Sequence, residues 1–146
     1  MEHCQDYQEG DLAVGFVVKD GGLLTFERLA PGYRELPGGK IEEDETPEDA
    51  VVREINEELG VTAVAIGELA CMYRNWRWPN IRAHVVAAEI VLGVPYQREA
   101  ETHGRVRYQT GHELRRAELS PVLARVNKML VDGELDLHTR LLGEMA

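Results

Sequence analysis

Three features of the chain predict an α/β fold with helices layered on a β-sheet. Short β-branched and apolar runs, punctuated by Gly, fill residues 12–28. A helix with both ends marked in the sequence spans Thr46 to Gly60. Two longer apolar runs, 61–73 and 81–92, come next, and a second helix with apolar residues at helical spacing follows them. Elements that alternate in this way bury their apolar faces against one another as helix on sheet. A length of 146 residues with 44% hydrophobic content suits one domain, residues 1–146, with a sizeable core.

The first run, Leu12 to Lys19, reads as a strand, and Asp20-Gly21-Gly22 turns it into a second, Leu23 to Arg28, so the pair is expected to form a hairpin. Pro31-Gly32 ends that pair, and Glu35-Leu36 leads into Pro37-Gly38-Gly39. The glycines there are expected to turn the backbone and present its carbonyls and amides to a ligand. Thr46 as N-cap, Pro47 at the first helical position and Asp49 closing a capping box then start the helix, and Gly60 stops it. Val61 to Tyr73 and Ile81 to Leu92 read as strands around a turn ending in Pro79-Asn80, and the nearly continuous apolar character of the second marks it as central. A short strand, Arg105 to Gln109, precedes a final helix opened by Ser120 and Pro121 and closed by Gly133.

Within the first helix, Ala50, Val51 and Ile55 form an apolar stripe, while Glu54, Glu57 and Glu58 stand at i, i+3 and i+4 on another face. Three carboxylates within one turn repel each other unless a cation lies among them. Hard oxygen ligands select Mg²⁺, with Mn²⁺ as a substitute, and a Mg²⁺ site of this kind is commonly completed by water and substrate phosphate. The spacing therefore predicts a phosphate-bearing substrate. By contrast, Glu42, Glu43, Asp44, Glu48 and Asp49 read as a solvated acidic face.

A formal net charge of −10 argues against broad nucleic-acid binding, which rests on basic surface. The absence of a long apolar run or a basic-then-apolar leader argues against a membrane span or secretory signal, and the expected location is cytoplasmic. Cys4 and Cys71 lack metal-ligand spacing, so Cys71 is expected to be a small core residue in a reducing compartment and Cys4 a free tail thiol. His84, inside an apolar strand, reads as a satisfied core residue, and His103 and His112 read as polar-loop residues without metal spacing.

Gly39, five residues, Glu45, seven residues and then Arg53-Glu54-Ile55-Asn56-Glu57-Glu58-Leu59-Gly60-Val61 resemble a complete Nudix box. The surrounding run, LPGGKIEEDETPEDAVVREINEELG, resembles the MutT-type branch of the family. The resemblance implies an α/β/α sandwich with a mixed sheet and a metal site formed by Glu54, Glu57, Glu58 and the Gly39 carbonyl. It also implies a structural ion pair between Glu45 and Arg53. The activity implied is attack of water on a phosphoanhydride of a nucleoside diphosphate linked to a group X. The leading expectation is conversion of a (d)NTP to (d)NMP and pyrophosphate, with Glu54, Glu57 and Glu58 in the catalytic set. The alternatives are a sugar nucleotide such as ADP-ribose, a dinucleoside polyphosphate, or a Nudix module that binds a nucleotide without hydrolysis.

Family members draw a general base from the box or from the loop before the last strand, where this chain offers Glu99 and Glu101. Glu101 is favoured by its distance from the Arg105–Gln109 strand, and Glu99 is the better local match to MutT-type sequences. Arg28 and Lys40 resemble positions that contact substrate phosphates. Leu36 and Leu119 replace the aromatic residue and the purine-reading Asn of MutT-type enzymes that clear oxidised guanine nucleotides, which points away from that substrate. Tyr73, Trp76 and Trp78, alternating with Arg74, Asn75 and Arg77, are a candidate base-stacking platform, a half-buried strand end or a homodimer contact.

Overall fold

The computed structural model describes residues 6–30, 32–75, 78–99 and 103–135, without the side chains of 74–79. Cys4, Trp76, Arg77 and Glu101, and the side chains of Arg74, Asn75 and Trp78, therefore lie outside the described residues. Eleven elements run along the described chain: β1 (Leu12–Phe16), β2 (Val18–Lys19), β3 (Gly22–Arg28), β4 (Tyr33–Glu35), β5 (Gly38–Lys40), α1 (Pro47–Leu59), β6 (Thr62–Asn75), β7 (Trp78–Leu92), β8 (His103–Gln109), α2 (Gly111–Arg115) and α3 (Pro121–Val131).

Strands β5, β1, β7 and β6 form a mixed sheet in that order, with β1 and β7 parallel and the other two pairings antiparallel. The apolar strand β7 is central, as its composition predicts, because both of its faces meet apolar layers. Ala83, Val85 and Ala87 join one buried cluster with Val122, Leu123 and Val126 of α3. Val86 and Ala88 join the other, with Ala50, Val51, Ile55 and Leu59 of α1. A period of two along β7 thus feeds both cores of an α/β/α sandwich.

The predicted strand from Leu12 to Lys19 is two strands in the structure. Phe16 ends β1 in the mixed sheet, and after Val17 the chain enters a second sheet as β2, paired with β3. Apolar runs do not mark which sheet a residue joins, so this break is invisible in composition. Asp20 and Gly21 both have positive φ, 51° and 77°, the combination a two-residue primed hairpin turn needs. In the second sheet β2 and β4 pair with β3, which also pairs with β8. Because Phe26 pairs both with Glu35 and with Val106, β4 and β8 lie on opposite edges of β3.

Gly38 and Gly39, predicted to turn, are extended in β5, opposite Val14 and Ala13. Glycine is needed there for close approach, since a Cβ on Gly38 would lie 2.2 Å from the Ala13 carbonyl oxygen. Cys71 is buried, as expected of a small core residue, but it is disulfide-bonded, which removes the thiol argument for a reducing compartment. Sequence spacing says nothing about which sulfurs a fold brings together. Among the described residues no helix is long and apolar enough to cross a membrane.

Candidate active site

The site grows from α1. Thr46 and Asp49 form a reciprocal capping box, Pro47 occupies the first turn, and Gly60 closes the helix at φ 67° with its N–H on the Asn56 carbonyl. These caps fix the phase of the helix, so its apolar stripe faces the mixed sheet and its carboxylates face β5. Glu54 lies directly over Gly39, where a Cβ would come within 2.4 Å of Glu54 Oε1. Next to it, the Gly38 N–H donates to Glu58 Oε1 at 2.8 Å. The glycine pair is therefore the surface on which two of the three box carboxylates rest.

Arg53 organises the exposed side. Its Nε and Nη2 donate to the two oxygens of Glu45 at 2.7 and 3.0 Å, a bidentate pair, and Nη2 also donates to the Lys40 carbonyl. Nη1 donates to Glu54 at 2.9 Å and Glu57 at 3.3 Å. The hydrogen bonds from Arg53 hold the Glu45 carboxyl below the usual carboxylate range, and those same bonds raise the guanidinium pKa. The Glu45–Arg53 pair implied by the resemblance is present, and it ties the loop before α1 to the helix. Burial pushes the Glu54 carboxyl up, against the pull of Arg53.

The three box glutamates differ in environment: Glu57 is exposed, Glu54 half-buried and Glu58 buried. Desolvation drives the Glu58 carboxyl up to about 9, opposed by the Gly38 N–H and reinforced by the nearby charges of Glu54, Glu35 and Glu99.

The loop after β7 completes the site by satisfying the end of α1. A helix leaves its last carbonyls without internal partners. Here the Tyr96 N–H donates to Leu59 O, the Arg98 N–H to Glu58 O, and the Arg98 guanidinium to Asn56 O. The Tyr96 ring also covers Gly60, where a Cβ would lie 2.3 Å from it. This docking delivers Glu99 to Glu58. A further bond, His103 N–H to Glu99 O at 2.8 Å, closes the chain back toward β8. Ligand-capable atoms of Glu58, Glu99 and His103 consequently lie within 4.8 Å of one another.

Of the two candidate loop acids, Glu99 is placed beside the box, while Glu101 lies outside the described residues. His103 overturns its expectation as a loop residue: it opens β8, is buried, and packs against Phe26 with the rings tilted at 57° and a centroid distance of 4.2 Å. Local polarity misled because the partners that bury it come from β3 and α1. Arg28 pairs with Glu35 at 2.7 Å at the edge of the site, and the Lys40 side chain is exposed. Leu36, read as a missing stacking position, is fully buried in the core with Phe16 and Leu123. Leu119 is partly buried against that same core, and its backbone runs beside Arg34. Tyr73 is exposed, and its carbonyl accepts from Arg125 of α3.

Sequence reasoning also missed two buried polar groups. Asp11 is fully buried and sits 3.1 Å from His84 Nε2, while Glu68 Oε1 lies 2.5 Å from His84 Nδ1. Arg34 crosses the second sheet, donating to Thr25 and to the Arg105 carbonyl. Neither spacing signals itself in sequence, since each partner comes from a different strand.

A glycine-backed acidic helix turn, pinned by an Arg–Glu pair on an α/β/α sandwich, defines a class. The NUDIX domain model matches residues 10–132, and the chain belongs to that family. Among individual relatives, a MutT-like protein of Streptomyces ambofaciens is 50% identical over 62 residues, 42% of this chain and 40% of that protein. The 8-oxo-dGTP diphosphatase of Escherichia coli is 45% identical over 56 residues, 35% of this chain and 43% of that one. These matches span about two fifths of the curated relatives' length. Among solved structures, a MutT NUDIX hydrolase from Burkholderia pseudomallei superposes with TM-score 0.57 at 28% identity, covering 74% of this chain and 88% of that one. A NUDIX hydrolase from Nitrosomonas europaea reaches TM-score 0.72 at 15% identity, covering 86% and 90%, a likeness of fold.

Proposed function

We propose that this protein is a divalent-metal-dependent pyrophosphohydrolase that cleaves a phosphoanhydride of a nucleoside diphosphate linked to X, with a (d)NTP giving (d)NMP and pyrophosphate as the leading reaction. The observation that carries this reading is the convergence of Glu54 and Glu58 on the Gly38–Gly39 backbone, with Glu57 alongside and Glu99 docked against Glu58. Its donors are hard oxygens from carboxylates and a strand carbonyl, a set that fits Mg²⁺ or Mn²⁺. Glu54, Glu57, Glu58 and the Gly39 carbonyl would hold the ion. Such an ion, when bound, polarises phosphoryl oxygens and acidifies a bound water.

The chain's own residues do the rest. Arg28 and Lys40 are the proposed phosphate contacts, with Arg28 held toward the site by Glu35. Glu99 is the proposed acceptor for the water proton: it is partly exposed, is fixed through the loop to α1, and lies beside Glu58. Glu101 shares the same loop and remains the alternative. Support for anhydride cleavage comes also from the relatives, an 8-oxo-dGTP diphosphatase and an RNA pyrophosphohydrolase of Pseudomonas fluorescens, the latter 40% identical over 65 residues. The net charge of −10 favours a small nucleotide over an RNA end.

The test is a panel of nucleoside triphosphates, sugar nucleotides and dinucleoside polyphosphates incubated with Mg²⁺, the products being separated by chromatography. A nucleoside monophosphate plus pyrophosphate from a triphosphate is expected. No turnover across the panel would instead indicate a binding module. Glu57→Gln, at an exposed position, should lower kcat by about 10²-fold or more with the fold unchanged; a rate within a few-fold of wild type removes Glu57 from the site.

A further inference from the structure

His103 stands out among the buried polar groups. It is 5% exposed, and among the described residues its Nδ1 has no hydrogen-bond partner. An unpartnered buried nitrogen is costly, so its retention calls for a partner that arrives later. Each ring nitrogen faces a carboxylate: Nε2 lies 3.9 Å from Glu58 Oε2, and Nδ1 lies 3.9 Å from Glu99 Oε1. Those separations are too long for hydrogen bonds. One ion takes only one of the two ring nitrogens, and one ligand atom from each of Glu58, Glu99 and His103 lies within 4.8 Å of the others, close enough for a single ion to draw together.

The ring is also held still. Phe26 packs against it at 4.2 Å, the β3–β8 register sets Arg28 opposite His103, and the Glu99 carbonyl takes the His103 N–H. Imidazole, unlike carboxylate, discriminates among divalent ions: it suits first-row transition ions and contributes little to Mg²⁺.

We propose that His103 is a nitrogen ligand which, with Glu58 and Glu99, forms a mixed oxygen–nitrogen subsite that takes Mn²⁺ or Co²⁺ in preference to Mg²⁺. This rests on the reading of α1 and its loop as a metal-dependent site, and adds to it a ligand outside the box and an ion preference. Glu58 is then shared between the box and the subsite, Glu99 binds the ion through one carboxylate oxygen and takes the water proton on the other, and His103 and Glu99 bind only where the loop is docked on α1.

The experiment uses the full chain with Mn²⁺ or Mg²⁺ alone, without nucleotide. Electron spin-echo modulation of the Mn²⁺-loaded protein should show a directly bound ¹⁴N that disappears in His103→Gln and His103→Phe. Calorimetry should show Mn²⁺ affinity falling by about tenfold or more in those variants, with Mg²⁺ affinity changing no more than about threefold. Absence of ¹⁴N coupling in wild type, coupling that persists in folded variants, or equal weakening of both ions overturns the proposal. If circular dichroism shows that neither variant folds, Glu99→Gln, on the rim of the site, serves instead. It should reduce Mn²⁺ affinity relative to Mg²⁺, and an unchanged ratio overturns the proposal. Nucleotide turnover with Mg²⁺ is measured separately. Turnover lost with ¹⁴N coupling kept counts against the hydrolase reading alone, and the reverse counts against the subsite alone.

Discussion

Two buried histidines, each set between two carboxylates, show how small a change in spacing separates structure from chemistry. His84 is 1% exposed, with Asp11 at 3.1 Å on one nitrogen and Glu68 at 2.5 Å on the other. His103 is 5% exposed, with both of its carboxylates at 3.9 Å. The first set is closed: Asp11 also accepts from the Gln8 and Arg82 backbone N–H groups, which consumes its remaining capacity. The second is open by about one ångström per contact, and it lies beside the acidic turn of α1. Closed networks stabilise a fold, whereas open ones leave room for a ligand.

The largest effect expected on this contrast is at the closed set. Asp11→Ala leaves the buried His84 Nε2 and the Gln8 and Arg82 N–H groups without their acceptor and should cost about 3–5 kcal/mol in urea unfolding, with turnover per folded molecule unchanged. A destabilisation under 1 kcal/mol would mean that the His84 network does little for the fold. Next comes the framework that aims the open set: Arg53→Ala removes the ties to Glu45, Glu54, Glu57 and the Lys40 carbonyl and should cut kcat/KM by about 10²-fold, worth about 2.7 kcal/mol. Steady-state kinetics on a variant with an intact far-UV spectrum would check this. An unchanged kcat/KM would show that the ion pair does not position the acidic turn.

A third effect concerns pH. The Glu58 carboxyl keeps its proton up to about pH 9 in the folded chain, whereas a solvated one releases it near 4.5, so the folded state binds that proton more tightly. Its contribution is fully present below the unfolded value and is lost as pH rises toward 9. The thermal midpoint of chelated protein should therefore fall across that window, and added Mn²⁺, which favours the ionised carboxylate, should flatten the slope. A midpoint that stays level in the chelated protein contradicts the buried, protonated Glu58. The smallest expected effect is Leu119→Asn. Leu119 packs against the core, so the substitution should change the preference among purine nucleotides by less than about threefold while costing roughly 1 kcal/mol of stability. A larger swing in a competition assay would put residue 119 at the base.

The parts of the site that were legible in sequence are those whose partners lie within a turn or two of helix. The caps of α1 and the Glu54–Glu57–Glu58 face follow from capping chemistry and a 3.6-residue period, while the link from Arg53 to Glu45 was implied by the resemblance to the Nudix box. His84 was legible as a core residue, because alternation along an apolar strand carries that information. What failed did so for lack of range. His103 looks like a loop residue until β8 pairs with β3 and buries it. Leu12 to Lys19 looked like one strand although it serves two sheets.

By itself the sequence determined the acidic helix and, through its box motif, the family, because periodicity and capping act between neighbours. Tertiary structure alone decided which histidine is closed and which is open, and it brought a box carboxylate to a loop acid and a β8 imidazole. The physical reason is sheet register. Pairing β1 with β7 and β3 with β8 sets distances to fractions of an ångström between residues far apart in the chain, a quantity no local pattern of residues encodes.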